Sequence, residues 1–221
     1  MTTTLVALAV IMAAVIWWLV RPSIGARPWV EQRTLVPDPG AAGLPFPTVK
    51  LGLGVFIVVA TSLFALSISA YLMRREGADW RPLAQPAVLW FSTAVLGLAS
   101  VFFQRASGAA KSGPVARVRT QLFAGGACTF AFLAGQLWAW RQLESAGYYL
   151  TTNPANAFFY FLTALHAAHV LGGLFVWGKT TVRVLRGAGA PEVRMSVELC
   201  TLYWHFLLVV WIALFGLLSL T

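Results

Sequence analysis

Charge is what this sequence has least of. Only 10% of its 221 residues are Asp, Glu, Lys or Arg, and seven residues in all are acidic. A soluble domain carries about a quarter, so a surface that faces water all round is excluded. Cysteine is nearly as scarce. Cys128 and Cys200 both lie inside apolar stretches with no CxxC spacing, which excludes a disulfide framework or a zinc ribbon and leaves them as small core residues. A Glu-x-x-His pair on two helices, the signature of a di-iron site, is missing. So are a repeat period and an inverted pair of interrupted helices, which argues against a transporter or channel. No basic-aromatic cluster stands apart from the apolar stretches, so the net charge of +9 does not read as nucleic-acid binding.

What is present is apolar. Hydrophobic residues make up 59% of the chain and the mean hydropathy is +0.75. Six stretches lack any charge for about the 20 residues that a spanning helix needs: approximately 1–20, 51–73, 83–104, 120–140, 154–178 and 199–221. The first has no basic n-region and no A-x-A cleavage pattern, and Trp17 and Trp18 stand near its exit as interfacial anchors, so it reads as a retained helix. The fold class expected is all-α: a polytopic membrane bundle of six transmembrane helices. Its parts are a leading helix at 1–22, a Pro/Gly-rich linker at 23–48 (PDPGAAGLPFP) and a five-helix core at 49–221 with short connections.

Lysine and arginine set the orientation. Twelve of sixteen fall in the loops after the first, third and fifth segments or on their flanks: Arg21, Arg27, Arg33, Lys50, Arg105, Lys111, Arg117, Arg119, Lys179, Arg183, Arg186 and Arg194. The other side holds Arg74, Arg75, Arg81 and Arg141. The richer side is expected to face the cytoplasm, which puts both termini outside.

The polar residues inside the spans are the candidates for function. His166 and His169, three apart, share a sector of about 60° with Gly173, at roughly 100° per residue. Ala164, Ala168 and Gly172 form a small-residue ridge nearly opposite, and Ala131 with Gly135 forms another. Both ridges are expected to meet other helices. In the last segment Glu198, Thr201 and His205 lie on one stripe. A charge at the centre of a bilayer costs about 2.5 to 3.5 kcal/mol, so Glu198 calls for a partner; a histidine or an arginine where the helix begins is the natural type, and the expected contact is with His166 or His169 across the meeting of the fifth and sixth segments. Haem ligation by His166, His169 and His205 in a small haem b cytochrome is the alternative to packed, hydrogen-bonded histidines. Gln121, Gln136 and the intramembrane serines read as interhelical contacts.

The run FFYFLTALHAAHVLGG at 158–173 resembles the pattern FF-x-LTG-x-HG-x-HV-x-x-G of subunit III of the haem-copper oxidases, typically cytochrome c oxidase. The ending ELCTLYWHFLLVVWIALF resembles that family's last helix, E-x-x-x-x-YWHFVDVVW-x-x-LF, and LWFSTAVLGLAS and LAGQLWAWRQLESAG resemble two further core helices. The likeness covers about residues 50 to 220. It places His166, His169, Glu198, Tyr203, Trp204 and His205 at the family's motif positions, with Gln136 and Gly173 in its other conserved-looking runs. It implies a subunit with no catalytic residue, haem, copper or metal of its own. Such a subunit docks on oxidase subunit I, and in the same complex as subunit II, where haem and copper reside. It binds phospholipid and supports proton uptake and endurance during turnover. A relative associated with nitric oxide reductase is the nearest rival. Three departures stand out: Ala60 where the family has a glutamate, Leu208 where it has an aspartate, and one leading helix where longer members have two.

Overall fold

The computed structural model describes residues 48–220 except 84, 113 and 188. The leading helix and linker lie outside the described residues, apart from Thr48. Five helices follow: α1 Thr48–Arg74, α2 Val88–Ser112, α3 Val115–Ser145, α4 Pro154–Leu185 and α5 Ala190–Ser219. Each is long and apolar enough to cross a membrane, and no strand occurs among the described residues.

The helices match the second to sixth uncharged segments, but their ends differ for a physical reason. An uncharged window marks the part that lipid surrounds, whereas backbone hydrogen bonding continues into the charged flanks. Thus α3 starts five residues earlier and ends five later than its window, and α5 takes in Arg194 and Glu198. The reverse holds at the start of the third segment, where residues 83 and 85–87 lie outside the helix beside Pro82 and Pro86. The amides of Leu89 and Trp90 bond back to Pro86 and Ala87 at 3.1 Å each, and α2 begins at Val88.

The chain divides into two compact units, 1–65 and 66–221. The described part of the first is the start of α1. Ile57, Ala60 and Phe64 are buried there at helical spacing, while Val55, Val59 and Leu63 are exposed. Its hydroxyls are satisfied within the helix, Thr61 by the Ile57 carbonyl at 2.7 Å and Ser62 by the Val58 carbonyl at 3.0 Å.

In the second unit α2, α3, α4 and α5 close a ring in chain order, with α5 returning against α2. The buried stripe of α3 explains the fit: Val118, Leu122, Gly125, Thr129, Phe132, Gln136, Ala139 and Leu143 alternate steps of four and three. A period of 3.5 keeps one seam facing its neighbours along a bundle of left-handed twist. Two glycines on α3 let neighbours come close. A Cβ on Gly125 would lie 2.9 Å from the Phe103 ring of α2, and one on Gly126 would lie 2.2 Å from the Trp177 ring of α4.

The helix ends are locally encoded. Past α3 the Tyr148 amide bonds to the Leu143 carbonyl at 2.9 Å and the Gly147 amide to Glu144 at 3.0 Å, with Gly147 at φ +84°. This pair of bonds satisfies the last carbonyls, and the left-handed residue between them favours glycine. At the start of α4 the Asn153 side chain accepts from the Ala155 amide at 3.2 Å. The same side chain clamps the loop after α1, donating to the Arg81 carbonyl at 2.6 Å and accepting from its amide at 3.4 Å. Pro at the first helical position completes the start. In that loop Arg74 donates to Asp79 at 2.8 Å, and a second guanidinium nitrogen pairs with the other carboxylate oxygen. The Arg74 hydrogen bond holds the Asp79 carboxyl below its ordinary value.

Candidate functional site

Of the candidate residues, Gln136, His166, Gly173, Thr201, Tyr203 and Trp204 are buried on α3, α4 and α5, while His169, Glu198 and His205 are half-buried. His166 has no solvent exposure. Its ring lies edge-on to Phe132 at 5.7 Å and beside Trp211 at 5.2 Å, and those two rings meet each other at 5.0 Å. The imidazole is therefore packed in an aromatic box contributed by α3 and α5. One turn along, the His169 ring turns back on its own helix, with Nδ1 2.8 Å from the Leu165 carbonyl. A carbonyl can only accept, so Nδ1 carries the ring proton.

The backbone of His169 does the interhelical work. Its carbonyl accepts from the Tyr203 hydroxyl at 3.0 Å. The approach depends on Gly173, where a Cβ would stand 2.8 Å from the Tyr203 ring and 3.1 Å from that of Trp204. The Trp204 indole passes inward to donate to the Thr129 hydroxyl of α3 at 2.9 Å, and its ring lies 4.3 Å from Phe103 of α2. Gly173, Tyr203 and Trp204 thus form one joint, and Trp204 reaches three helices in all.

Thr201 and His205 serve the other side of α5. The Thr201 hydroxyl lies 2.9 Å from the Phe103 carbonyl of α2 and 2.8 Å from its own Val197 carbonyl, so one proton is shared between helices. His205 Nδ1 lies 2.7 Å from the Ser100 hydroxyl. Glu198 takes the Nε of Arg194 at 3.0 Å, one turn earlier on α5. The expectation set Glu198 against His166 or His169 across the α4–α5 contact; the partner found is instead the arginine where the helix begins. The register agrees: Tyr203 pairs with His169, and Arg183 reaches Ser196 at 3.5 Å. That sets Glu198 level with the part of α4 between Gly173 and Arg183. Gln136 sits in the α3 seam at 3% exposure, and neither amide atom has a hydrogen-bond partner among the described residues.

Several contacts of the same kind fall on residues that sequence reasoning passed over. Trp140 donates to Thr163 at 3.1 Å, Trp177 to the Leu122 carbonyl at 2.9 Å, and Trp211 to Thr93 at 2.9 Å. The signal was a tryptophan in mid-helix, whose N–H needs an acceptor wherever lipid or core surrounds it. Pairing each with its acceptor required the register of neighbouring helices.

Chemically this is a set of fastenings. The indole, phenol and threonine hydroxyl groups described above are spent on acceptors, most of them on neighbouring helices, and the three histidines point to different neighbours. Among the described residues no three His, Cys, Asp or Glu side chains converge closely enough for a metal ion. The ridges behave unequally. Gly135 packs on Ser92, whose oxygen would lie 2.4 Å from a Cβ there, whereas Ala131, Ala164, Ala168 and Gly172 are exposed.

Comparison with known proteins gives this joint a context. The chain is 31% identical over 178 residues to cytochrome c oxidase subunit 3 of Synechocystis sp., covering 76% of this chain and 74% of that one. The chain belongs to the cytochrome c oxidase subunit 3 family. The subunit 3 of Thermostichus vulcanus is 31% identical over 173 residues, covering 76% and 85% of the two chains. A probable cytochrome c oxidase subunit 3 of Nocardia farcinica is 28% identical over 178 residues with the same coverage. No protein-family model matches the chain. As a subunit 3 family member with five helices able to span a bilayer, it is a multi-pass membrane protein of the oxidase type.

Proposed function

We propose that the chain is the cofactor-free subunit III of a bacterial haem-copper terminal oxidase. It lies in the inner membrane with both termini in the periplasm, and docks on the subunit that reduces oxygen. Haem and copper belong to subunits I and II. This chain contributes a rigid helical surface, retains phospholipid beside it and sustains rapid proton uptake during turnover. The Gly173–Tyr203–Trp204 joint carries this reading: the motif residues typical of the family are used up in holding α3, α4 and α5 together. Ala60 and Leu208 cannot exchange protons, so any support of proton uptake works through packing and lipid. His166, His169, Glu198, Thr201 and His205 serve as fastenings in this account.

Purification of the complex through a tag on this chain tests the proposal. Haem a and copper are expected to co-elute, with the other oxidase subunits. Haem b with non-haem iron would assign it to a nitric oxide reductase instead, and a Soret band from the separately expressed chain would make it a cytochrome. In the oxidase, His166→Leu or Glu198→Gln should reduce recovery of the assembled complex or its phospholipid and leave the haem spectrum unchanged. Full assembly with electron transfer abolished would contradict a scaffolding role.

A further inference from the structure

The loop after α1 runs across the ends of α1 and α5 and the start of α4. Arg74 holds Asp79 near its beginning, Asn153 takes both backbone groups of Arg81, and the Ser219 hydroxyl donates to Gln85 Oε1 at 3.0 Å. Trp80 stands between these fastenings, edge-on to Tyr71 at 5.0 Å and 6.3 Å from Phe158. Its indole nitrogen is shut off from solvent and meets no acceptor among the described residues. A buried N–H left in that way keeps its desolvation penalty, and buried polar groups in folded proteins are nearly always paired.

Trp80 also lines a small cavity, together with Tyr71, Gln85, Ala155, Phe159 and Leu218. Its volume is about 10 Å³, and about 10 to 15 Å³ is the least that holds one water. Size alone does not wet a cavity, because an apolar one stays dry and a water needs at least two polar partners. Trp80 offers an N–H. Gln85 Oε1 has two lone pairs, of which the Ser219 hydroxyl takes one. The site lies at the helix ends beside the exposed Arg75, Asp79 and Arg81, where the surrounding medium is water and not hydrocarbon. We propose that this cavity binds one water, which accepts from Trp80 Nε1 and donates to Gln85 Oε1. The bridge joins the two halves of the loop. The first half is held by α1 and by Asn153 of α4, the second by Ser219 of α5, and the water makes those holds act together. It does so whichever complex the chain serves.

Amide hydrogen exchange over residues 77–81 of the purified full chain tests the bridge, because the Gly77, Trp80 and Arg81 amides there are hydrogen-bonded. Ser219→Ala removes the direct bond alone, whereas Gln85→Leu removes that bond and the water's acceptor. Exchange in Gln85→Leu should therefore be roughly two- to tenfold faster than in Ser219→Ala, the size of one hydrogen bond. In a Trp80→Phe background, which keeps a ring on Tyr71 but has no N–H to give, the two substitutions should exchange alike. Equal rates with Trp80 in place would overturn the proposal, and so would an excess that survives Trp80→Phe. Should Trp80→Phe release the loop altogether, a map of the unsubstituted protein that resolves ordered water decides. Density within about 2.7 to 3.2 Å of both Trp80 Nε1 and Gln85 Oε1 supports the bridge, and an empty cavity or a protein acceptor on Nε1 sinks it.

Discussion

The two sides of α4 carry nearly the same residues and meet different fates. The inner side has Gly173 beneath Tyr203 and Trp204, and His166 in its aromatic box. The outer side has Ala164, Ala168 and Gly172, all exposed, with nothing within 4 Å of a Cβ on Gly172. A glycine next to a glycine therefore separates a contact from a bare surface. Small size permits close packing in a membrane, but only a ring or hydroxyl waiting on the other helix uses it.

Substituting each member of that pair gives the largest contrast. Gly173→Val drives a side chain into two rings that are each fixed by a hydrogen bond of 2.9 to 3.0 Å, so they cannot swing away cheaply. A loss of about 2 to 3 kcal/mol, the upper range for overpacking, is expected in thermal or denaturant unfolding of the chain in detergent. Gly172→Val makes the same change in helix propensity and should stay within about 0.5 kcal/mol of the parent. Equal losses from the two would mean that backbone propensity, and not the joint, sets the cost.

A smaller effect sharpens what the inner joint is worth. Thr129→Val leaves the Trp204 indole N–H without the hydroxyl at 2.9 Å in a site with no exposure. That substitution should cost about 1 kcal/mol or somewhat more, because the stranded donor keeps its desolvation penalty. Trp204→Phe removes the donor and some ring contact with Phe103 as well. Comparing both single variants with the double isolates the bond, for which a coupling of about 0.6 kcal/mol is expected in a membrane protein. A coupling near zero would show that the ring's packing, and not its N–H, holds α5 to α3.

The sequence carried these regions unequally. Six spans could be counted because charge is absent for the thickness of a bilayer, five of them being the helices described, and the motif runs placed Gly173, Tyr203 and Trp204 in the family before any contact was visible. The covered side of α4 could not be read. In water an amphipathic pattern would have marked it, but lipid is as apolar as a protein core, so the exposed Leu171 and Phe175 look no different from the buried Val170 and Leu174. The partners of Trp140, Trp177 and Trp211 were hidden for a related reason. Each lies on another helix, 23 to 118 residues away in sequence, and is selected by rotation and register, which the chain's own periodicity leaves open. Glu198 was expected to meet His166 or His169 on the neighbouring helix, whereas Arg194 sits one turn away on the same helix, where local spacing alone could find it.

Against these interior contacts the Arg74–Asp79 pair in the loop after α1 gives the smallest expected effect, because water surrounds both side chains. Its pH dependence has a definite sign. The fold lowers the Asp79 carboxyl below its ordinary value through the Arg74 hydrogen bond, so its contribution is complete above the unfolded-state value, about 3.9. It is lost only as the pH falls through the lower folded value. Asp79→Asn should therefore raise amide hydrogen exchange in the 75–81 loop slightly and by the same factor throughout the neutral range, with the ratio to the parent closing below about pH 4. A difference that vanished nearer pH 6 would point to another titrating group. An effect as large as that of Thr129→Val would mean that the loop, clamped from the other side by Asn153, is coupled to the bundle more tightly than an exposed ion pair allows.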